Sequence, residues 1–262
     1  TYSVLPDLTI RFGSFNKGSN LMLPEPLYMF ESQFSDLLGN GLQIVNHGDL
    51  WESVTWLDWL SFIEPGDPFR EEFIFGHSGN FRIWENGKNS LCIPVYLLAN
   101  HKGGQINNND EPVETRFDLG SGLKYIRSLK WPVFNQFSIL TDYYLEKGIE
   151  TNTDGSALYT YSELDGELFT AGVGYFKERN WESILGEPLF FSPYPPGHNQ
   201  DLSRDMILIK AGIGKKITSG SSFMLRFEGY YDMGIKKFQY TYGIHILVNE
   251  GFKLRLSQKT NQ

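Results

Sequence analysis

Residues 114–125 read ETRFDLGSGLKY, and apolar and polar side chains alternate along them. One set of alternate positions carries Thr115, Phe117, Leu119, Ser121, Leu123 and Tyr125, and the other carries Glu114, Arg116, Asp118, Gly120, Gly122 and Lys124. Successive side chains of a β-strand point to opposite faces of a sheet. The stretch therefore predicts a strand with one apolar and one polar face.

The same alternation recurs along the chain. It is clearest at 73–83, 223–232 and 238–247, and similar rows occur at 5–15, 40–47, 51–63, 89–101, 133–147, 155–163, 167–177 and 205–217. Short turns at 47–49, 86–88, 129–131, 164–166 and 218–220 alternate with mostly long connections at 16–39, 64–72, 102–113, 147–154 and 178–204. We predict about twelve antiparallel strands, with fourteen as the alternative if 251–257 belongs to the sheet, because bacterial single-chain barrels have even strand numbers.

Two architectures explain such strands. In a soluble β-sandwich the apolar faces meet in a core, whereas in a transmembrane barrel they face lipid and the polar faces line the lumen. The alternation of short and long connections favours the barrel, as do the opposite charges beside glycines on the polar faces. We predict that residues 1–262 form a single all-β domain. This domain is a transmembrane β-barrel of the bacterial outer membrane, with short periplasmic turns and long extracellular loops.

Composition excludes several other classes of protein. With 40% hydrophobic and 15% aromatic residues, the chain is not intrinsically disordered. A formal net charge of -8 argues against binding to nucleic acid, which requires a basic surface. Cys92 is the single cysteine and cannot form an internal disulfide. No apolar run approaches the roughly 18 residues that a transmembrane helix needs.

Two long connections carry apolar residues of their own. Between 16 and 39, apolar residues at near-helical spacing predict a short helix, at Leu27, Phe30, Phe34, Leu37 and Leu38. This segment either enters the lumen as a constriction or packs over the barrel mouth, and we favour packing over the mouth. The connection 178–204 offers candidate loop contacts, or else a rigid surface cover, at Trp181, Phe190, Phe191 and Tyr194.

The catalytic-looking cluster is Gly76–Asn80, which contains His77 and Ser78. Adjacent residues of a strand point to opposite faces, so this histidine and serine cannot meet. Outer-membrane phospholipase A has a His-x-Ser motif that keeps both groups on one face, and this sequence departs from it. We expect no catalytic residue here and no enzymatic activity.

Three further clusters have a chemical and an ordinary interpretation. The polar runs Asn107–Glu111 and Asn152–Gly155 offer oxygen ligands suited to calcium, but such residues also form turns, and we favour turns. The run His101–Gln105 offers backbone amides to an anion, and a flexible loop is the better interpretation. We therefore predict no metal and no cofactor.

Charged and polar residues on the polar faces are candidates for lining the lumen. They are Arg11, Glu72, Arg82, Glu114, Arg116, Asp118, Lys124, Asp142, Lys210, Arg226, Glu228, Asp232 and His245. Both signs of charge are present, and a barrel of about twelve strands has a narrow interior. We expect a narrow or plugged lumen.

Several loop motifs resemble those of a known group of proteins. LPEPLY at 23–28, GDPF at 66–69 with EEF at 71–73, HKGGQ at 101–105 and GEPLF at 186–190 look like segments of uncharacterised porin-like outer-membrane barrels of Bacteroidota. The resemblance implies a location more than an activity. The C-terminal residues 252–257 depart from the usual aromatic ending of such barrels.

Three functions follow from these observations. The first is a porin-like barrel that passes or binds small solutes through a narrow lumen of mixed charge. The second is a non-catalytic accessory barrel in a larger outer-membrane assembly, with outer-membrane lipid and other outer-membrane proteins as its partners. The third is a soluble β-sandwich that acts as a binding protein or an enzyme.

Overall fold

The computed structural model describes residues 2–17, 21–29, 31–36, 38–104, 112–150, 154–192, 203–216 and 221–248. Within them, thirteen antiparallel strands form one sheet in chain order. The strands are β1 (Tyr2–Leu5), β2 (Leu8–Asn16), β3 (Leu38–His47), β4 (Trp51–Ser61), β5 (Glu72–Glu85), β6 (Asn89–Lys102), β7 (Glu114–Ser128), β8 (Gln136–Gly148), β9 (Asp154–Asp165), β10 (Phe169–Arg179), β11 (Asp205–Lys216), β12 (Ser221–Asp232) and β13 (Lys237–Val248). A single sheet of this kind confirms the predicted fold class and excludes a two-sheet sandwich.

Each of the twelve predicted rows coincides with one of the strands β2 to β13. Strand β1 is an addition, and the row at 251–257 lies outside the described residues. The helical elements in the described ranges are α1 (Ser32–Ser35), a 3₁₀ turn (Pro188–Phe190) and the single 3₁₀ residue Leu21. None of the helices described is long and apolar enough to cross a bilayer.

The two faces of the sheet differ as the alternation predicts. On β7, Leu119 is 47% exposed while its neighbour Asp118 is 1% exposed. Inward-facing side chains of β2, β3, β4 and β6 share one buried cluster, and those of β6 and β8 to β12 share another. Leu23 packs against both clusters, so the sheet curves around one interior. We call this interior the lumen and the opposite face the outer wall.

Glycines on the inner face leave room for aromatic rings on the next strand. A methyl group at Gly76 would lie 2.1 Å from the indole of Trp56, and one at Gly120 would lie 2.5 Å from the ring of Tyr144. Both rings are almost completely buried. The glycines of the polar rows therefore allow large side chains to fill a narrow lumen.

Two loop segments occupy the lumen at the end of the sheet where the long connections lie, here called the long-loop end. They are the first plug segment (Leu21–Met29) and the second plug segment (Trp181–Ser192). The Met29 amide donates a hydrogen bond to the Leu185 carbonyl at 2.8 Å, which joins the two segments.

The structure corrects the interpretation of the first connection. The predicted helix is limited to α1, because the chain around Pro24 forms turns instead, with the Leu27 amide donating to the Pro24 carbonyl at 2.9 Å. Leu27 is 0% exposed inside the barrel. This segment enters the lumen and does not pack over the mouth.

The second connection is corrected as well. Trp181 and Phe190 are fully buried, so neither offers a contact surface to a partner. Phe191 is half-buried, and Tyr194 lies outside the described residues. Carboxylates on the barrel wall make this burial possible, because they accept hydrogen bonds from loop amides that would otherwise be unpaired. Asp118 accepts from Ile184 at 2.8 Å.

Candidate functional site

The lumen candidates extend from the inner sides of their strands, and several hold the plug segments. Glu25 of the first plug segment pairs with Lys210 and, at 3.3 Å, with Arg226. Glu228 accepts both cations as well and lies 3.3 Å from Lys210. These four charges compensate one another across the interior. They stabilise a filled lumen, and solute contact by these residues stays a prediction.

A second group of candidates anchors the second plug segment. Arg116 binds Glu146 at 3.0 Å, and Glu146 also accepts the Glu182 amide at 2.7 Å. Asp118 accepts the Ser183 hydroxyl at 2.8 Å. Buried carboxylates therefore accept the hydrogen bonds that groups of this loop would otherwise donate to water.

The remaining candidates have partners of several kinds. Glu72 pairs with Asn100 and Lys102, Glu114 with Arg70, Arg82 with Glu85, Asp232 with Arg204, Asp142 with Tyr144, and Arg11 with Gln43. Lys124 and His245 extend from the inner faces of β7 and β13.

The outer wall carries a row of side chains of which the sequence pointed only to His101, in the run His101–Gln105. Trp59, Phe73, His101 and Thr115 are successive register partners on β4, β5, β6 and β7. The ring centroids of Trp59 and Phe73 are 5.8 Å apart, and those of Phe73 and His101 are 5.1 Å apart. We call these four residues the rim row, because they lie at the long-loop end of their strands.

His101 is held in a defined orientation within the rim row. Its Nδ1 lies 3.0 Å from the Thr115 hydroxyl. The Thr115 amide donates to the Glu150 carboxylate at 2.8 Å, which fixes that end of β7. The backbone of Gly104, at φ +107°, passes the other ring nitrogen, since a methyl group on Gly104 would lie 3.6 Å from Nε2. One ring nitrogen is therefore occupied, and the other faces the loop.

The aromatic ring of Trp59 is held in place by a buried carboxylate. Its indole Nε1 donates to the carboxylate of Glu71 at 2.9 Å, and Glu71 is 3% exposed. The Glu71 carbonyl accepts the Gly103 amide at 2.8 Å. The same residue thus positions both the aromatic side of the row and the loop that follows His101.

A similar pair lies deeper on the outer wall. His77 Nδ1 is 2.7 Å from the Thr55 hydroxyl, and its ring stacks on Trp51 with centroids 5.8 Å apart. His77 lies four positions after Phe73 on β5, which is roughly 13 Å along a strand. Ser78 points into the lumen and donates to the Leu21 carbonyl. As expected, His77 and Ser78 point to opposite faces.

The described ranges contain no group of three or more His, Cys, Asp or Glu residues arranged to hold a metal ion. Of the predicted calcium alternatives, Asn107–Glu111 and residues 151–153 lie outside the described residues. The prediction that the protein binds no metal stays a prediction.

Comparison with known proteins identifies the family to which the chain is similar. No curated protein matches the chain. OmpT, an outer membrane protein of Vibrio cholerae folded in vitro, is 11% identical, with a TM-score of 0.48 over 91% of this chain and 75% of OmpT. The family described as Lipid A 3'-O-deacylase-type matches residues 1–257.

The family match corrects one expectation and leaves another without support. It is named for an enzyme, so the expectation that this protein is not an enzyme is wrong. It does not support the porin-like resemblance. The protein is an outer-membrane β-barrel, and it belongs to the Lipid A 3'-O-deacylase-type family.

Proposed function

We propose that this protein is an outer-membrane hydrolase that removes an ester-linked acyl chain from lipid A, with His101 as the general base. The observation that carries the proposal is the pairing of His101 with Thr115 at 3.0 Å on the outer wall, at the long-loop end. The family match over residues 1–257 supports the reaction class.

The position of the rim row suits a lipid substrate. Outer-membrane barrels place their long loops outside the cell, and lipid A forms the outer leaflet there. His101 precedes the last residue of β6 by one position. It therefore lies near the boundary between headgroups and acyl chains, where the ester bonds of the lipid are. Trp59 and Phe73 supply an aromatic surface beside it for an acyl chain.

The geometry supports a water-activating base. When Nδ1–H donates to the Thr115 hydroxyl, Nε2 keeps its lone pair and accepts a proton from water. The water oxygen then bonds to the acyl carbonyl carbon, and a tetrahedral oxyanion forms beside the Gly104 backbone, which we assign to its stabilisation. Cleavage of the bond between the acyl carbon and the sugar oxygen follows. The proton on Nε2 passes to that departing oxygen, which releases a fatty acid and a sugar hydroxyl.

The test uses purified protein in detergent with lipid A as substrate, and mass spectrometry to quantify released fatty acid. His101→Ala should lower the rate at least about 100-fold, the usual contribution of a general base. The matched control is His77→Ala, which removes a histidine that is also paired with a threonine but lies deeper on the wall. The control should retain the wild-type rate.

Substitutions at Thr115 distinguish its hydrogen bond to His101 from its packing. Thr115→Val keeps the shape but removes the hydroxyl that orients His101, so kcat should fall while Thr115→Ser restores it. Equal rates for wild type and His101→Ala, or an equal loss in both histidine variants, would remove the support for His101 as the base.

A further inference from the structure

A cavity of about 310 Å³ lies in the long-loop half of the lumen, between the first plug segment and the wall formed by β4 to β7. Its lining includes Tyr28, Trp56, Asp58, Asn100, Arg116 and Leu185. It lies on the inner side of the strands whose outer side carries the rim row, since Asn100 precedes His101 and Arg116 follows Thr115.

Most polar groups around this cavity are already paired. Lys17 bridges Asp36 at 2.6 Å and Asp58 at 2.9 Å. Asn100 donates to Glu72 at 3.1 Å. These side chains already bond to one another, so a ligand does not need to supply hydrogen bonds to them.

Two buried polar atoms of the lining have no hydrogen-bond partner among the residues that the structure describes. They are the hydroxyl of Tyr28, whose residue is 7% exposed, and the Nε of Arg116. A buried polar atom without a partner costs free energy, and native proteins rarely leave one without a functional reason. Burial, together with the carboxylates of Asp36 and Asp58, raises the pKa of Tyr28 to about 12. Its hydroxyl therefore stays neutral and both donates and accepts.

A second cavity of the lumen shares Tyr28 with the first cavity but not Arg116. It measures about 480 Å³ and is lined by Glu25, Lys210 and Arg226, whose charges already pair with one another. Of the two cavities, only the smaller one is lined by Arg116, with its unpaired Nε, as well as by Tyr28.

The chemistry of the smaller cavity defines its ligand. Arg116 Nε can only donate, so the ligand must present an acceptor oxygen, and Tyr28 adds a second hydrogen bond of either direction. The lining carries Asp36, Asp58 and Glu72 against Lys17 and Arg116, an excess of negative charge that disfavours an anion. Trp56 and Leu185 add apolar surface for the face of a ring.

We propose that this cavity binds one uncharged sugar ring, with its hydroxyls on Tyr28 and Arg116 and a ring face on the apolar lining. A volume of about 310 Å³ lies at the lower end of the range for small-ligand pockets. The cavity lies in the lumen whereas His101 lies on the outer wall, so this proposal does not rest on the proposed hydrolase activity.

The experiment is saturation-transfer NMR on the purified full chain in detergent, with glucose, galactose and N-acetylglucosamine as probes and glucuronate as the charged comparison. We expect saturable binding of at least one uncharged sugar and weaker binding of glucuronate. Tyr28→Phe should weaken binding about tenfold, the effect of one lost hydrogen bond. Tyr161→Phe, which changes the larger cavity, should leave affinity unchanged.

Thermal stability distinguishes a ligand-binding role of the Tyr28 hydroxyl from a role in holding the fold. Because its hydroxyl bonds to none of the described residues, Tyr28→Phe should leave the thermal stability of the sugar-free protein unchanged or raise it. Absence of binding by all three sugars would overturn the proposal. Tighter binding of glucuronate, or identical affinities in wild type and Tyr28→Phe, would overturn it too.

Discussion

Truncation of Phe190 tests whether the second plug segment is held by packing inside the lumen. Phe190 is 0% exposed. Its ring meets Phe176 edge-on at 4.8 Å and 77°, and Tyr159 at 6.1 Å and 88°. Removing a buried phenylalanine costs about 3–5 kcal/mol, including the loss of such aromatic pairs. Phe190→Ala should therefore increase the opening equilibrium of the segment by about two to four orders of magnitude.

Hydrogen exchange measured by mass spectrometry reports this opening. The Trp181 amide donates to Ser192 Oγ at 2.8 Å, and the Ser192 amide donates to the Trp181 carbonyl at 2.8 Å, so both amides are protected while the segment is seated. The matched control is Phe191→Ala, because Phe191 is adjacent but only half-buried. We expect a much smaller loss of protection in the control. A change of less than tenfold in Phe190→Ala, or equal changes in both variants, would refute the packing explanation.

Three further outcomes follow from the structure. Burial and the neighbouring carboxyl of Glu31 raise the pKa of Glu187 to about 7. In the folded loop the Glu187 carboxyl therefore stays protonated up to about pH 7, whereas in an unfolded chain it loses its proton near pH 4.5. The free energy of unfolding of the loop falls as the pH rises between these two values, because the unfolded state binds fewer protons there. Protection of the second plug segment, corrected for intrinsic exchange, should drop between pH 5 and 8 in wild type but not in Glu187→Gln. Leu119→Arg places a charge on the lipid face and should cost about 2–4 kcal/mol in urea titrations of folding into vesicles. Gly76→Val should prevent heat-modifiable gel mobility, because the new side chain would overlap the buried indole of Trp56.

The strands were predictable because their signal is local. A strand with lipid on one side and a polar interior on the other must alternate apolar and polar side chains, and the stretch 114–125 shows this alternation. The weaker row at 51–63 was ambiguous because Trp56 faces the lumen while Trp59 faces outward, so aromatic residues occur on both faces of β4.

The plug could not be predicted by the same route. Glu25 meets Lys210 across 185 positions of sequence, and no periodicity links residues that far apart. A proline-rich segment with scattered apolar residues has the composition of an exterior loop. Contacts with the wall, such as those that Asp118 and Glu146 make with the second plug segment, place a segment of this kind inside.

The rim row was within reach of the sequence but was missed. The alternation placed both His101 and Thr115 on the outer face of neighbouring strands. Their pairing also depends on the register of β6 and β7, in which Lys102 aligns with Glu114. The proposed role of His101 gives no signal in the sequence, since no contiguous motif joins this histidine to a hydroxyl.

The most direct test of the central claim is the mass of lipid A extracted from bacteria that produce the protein in their outer membrane. The proposed activity predicts a species lighter by one ester-linked acyl chain with the wild-type protein and with His77→Ala, and its absence with His101→Asn. Unmodified lipid A in cells with correctly assembled wild-type barrel would contradict the assignment of a lipid A deacylase centre at His101.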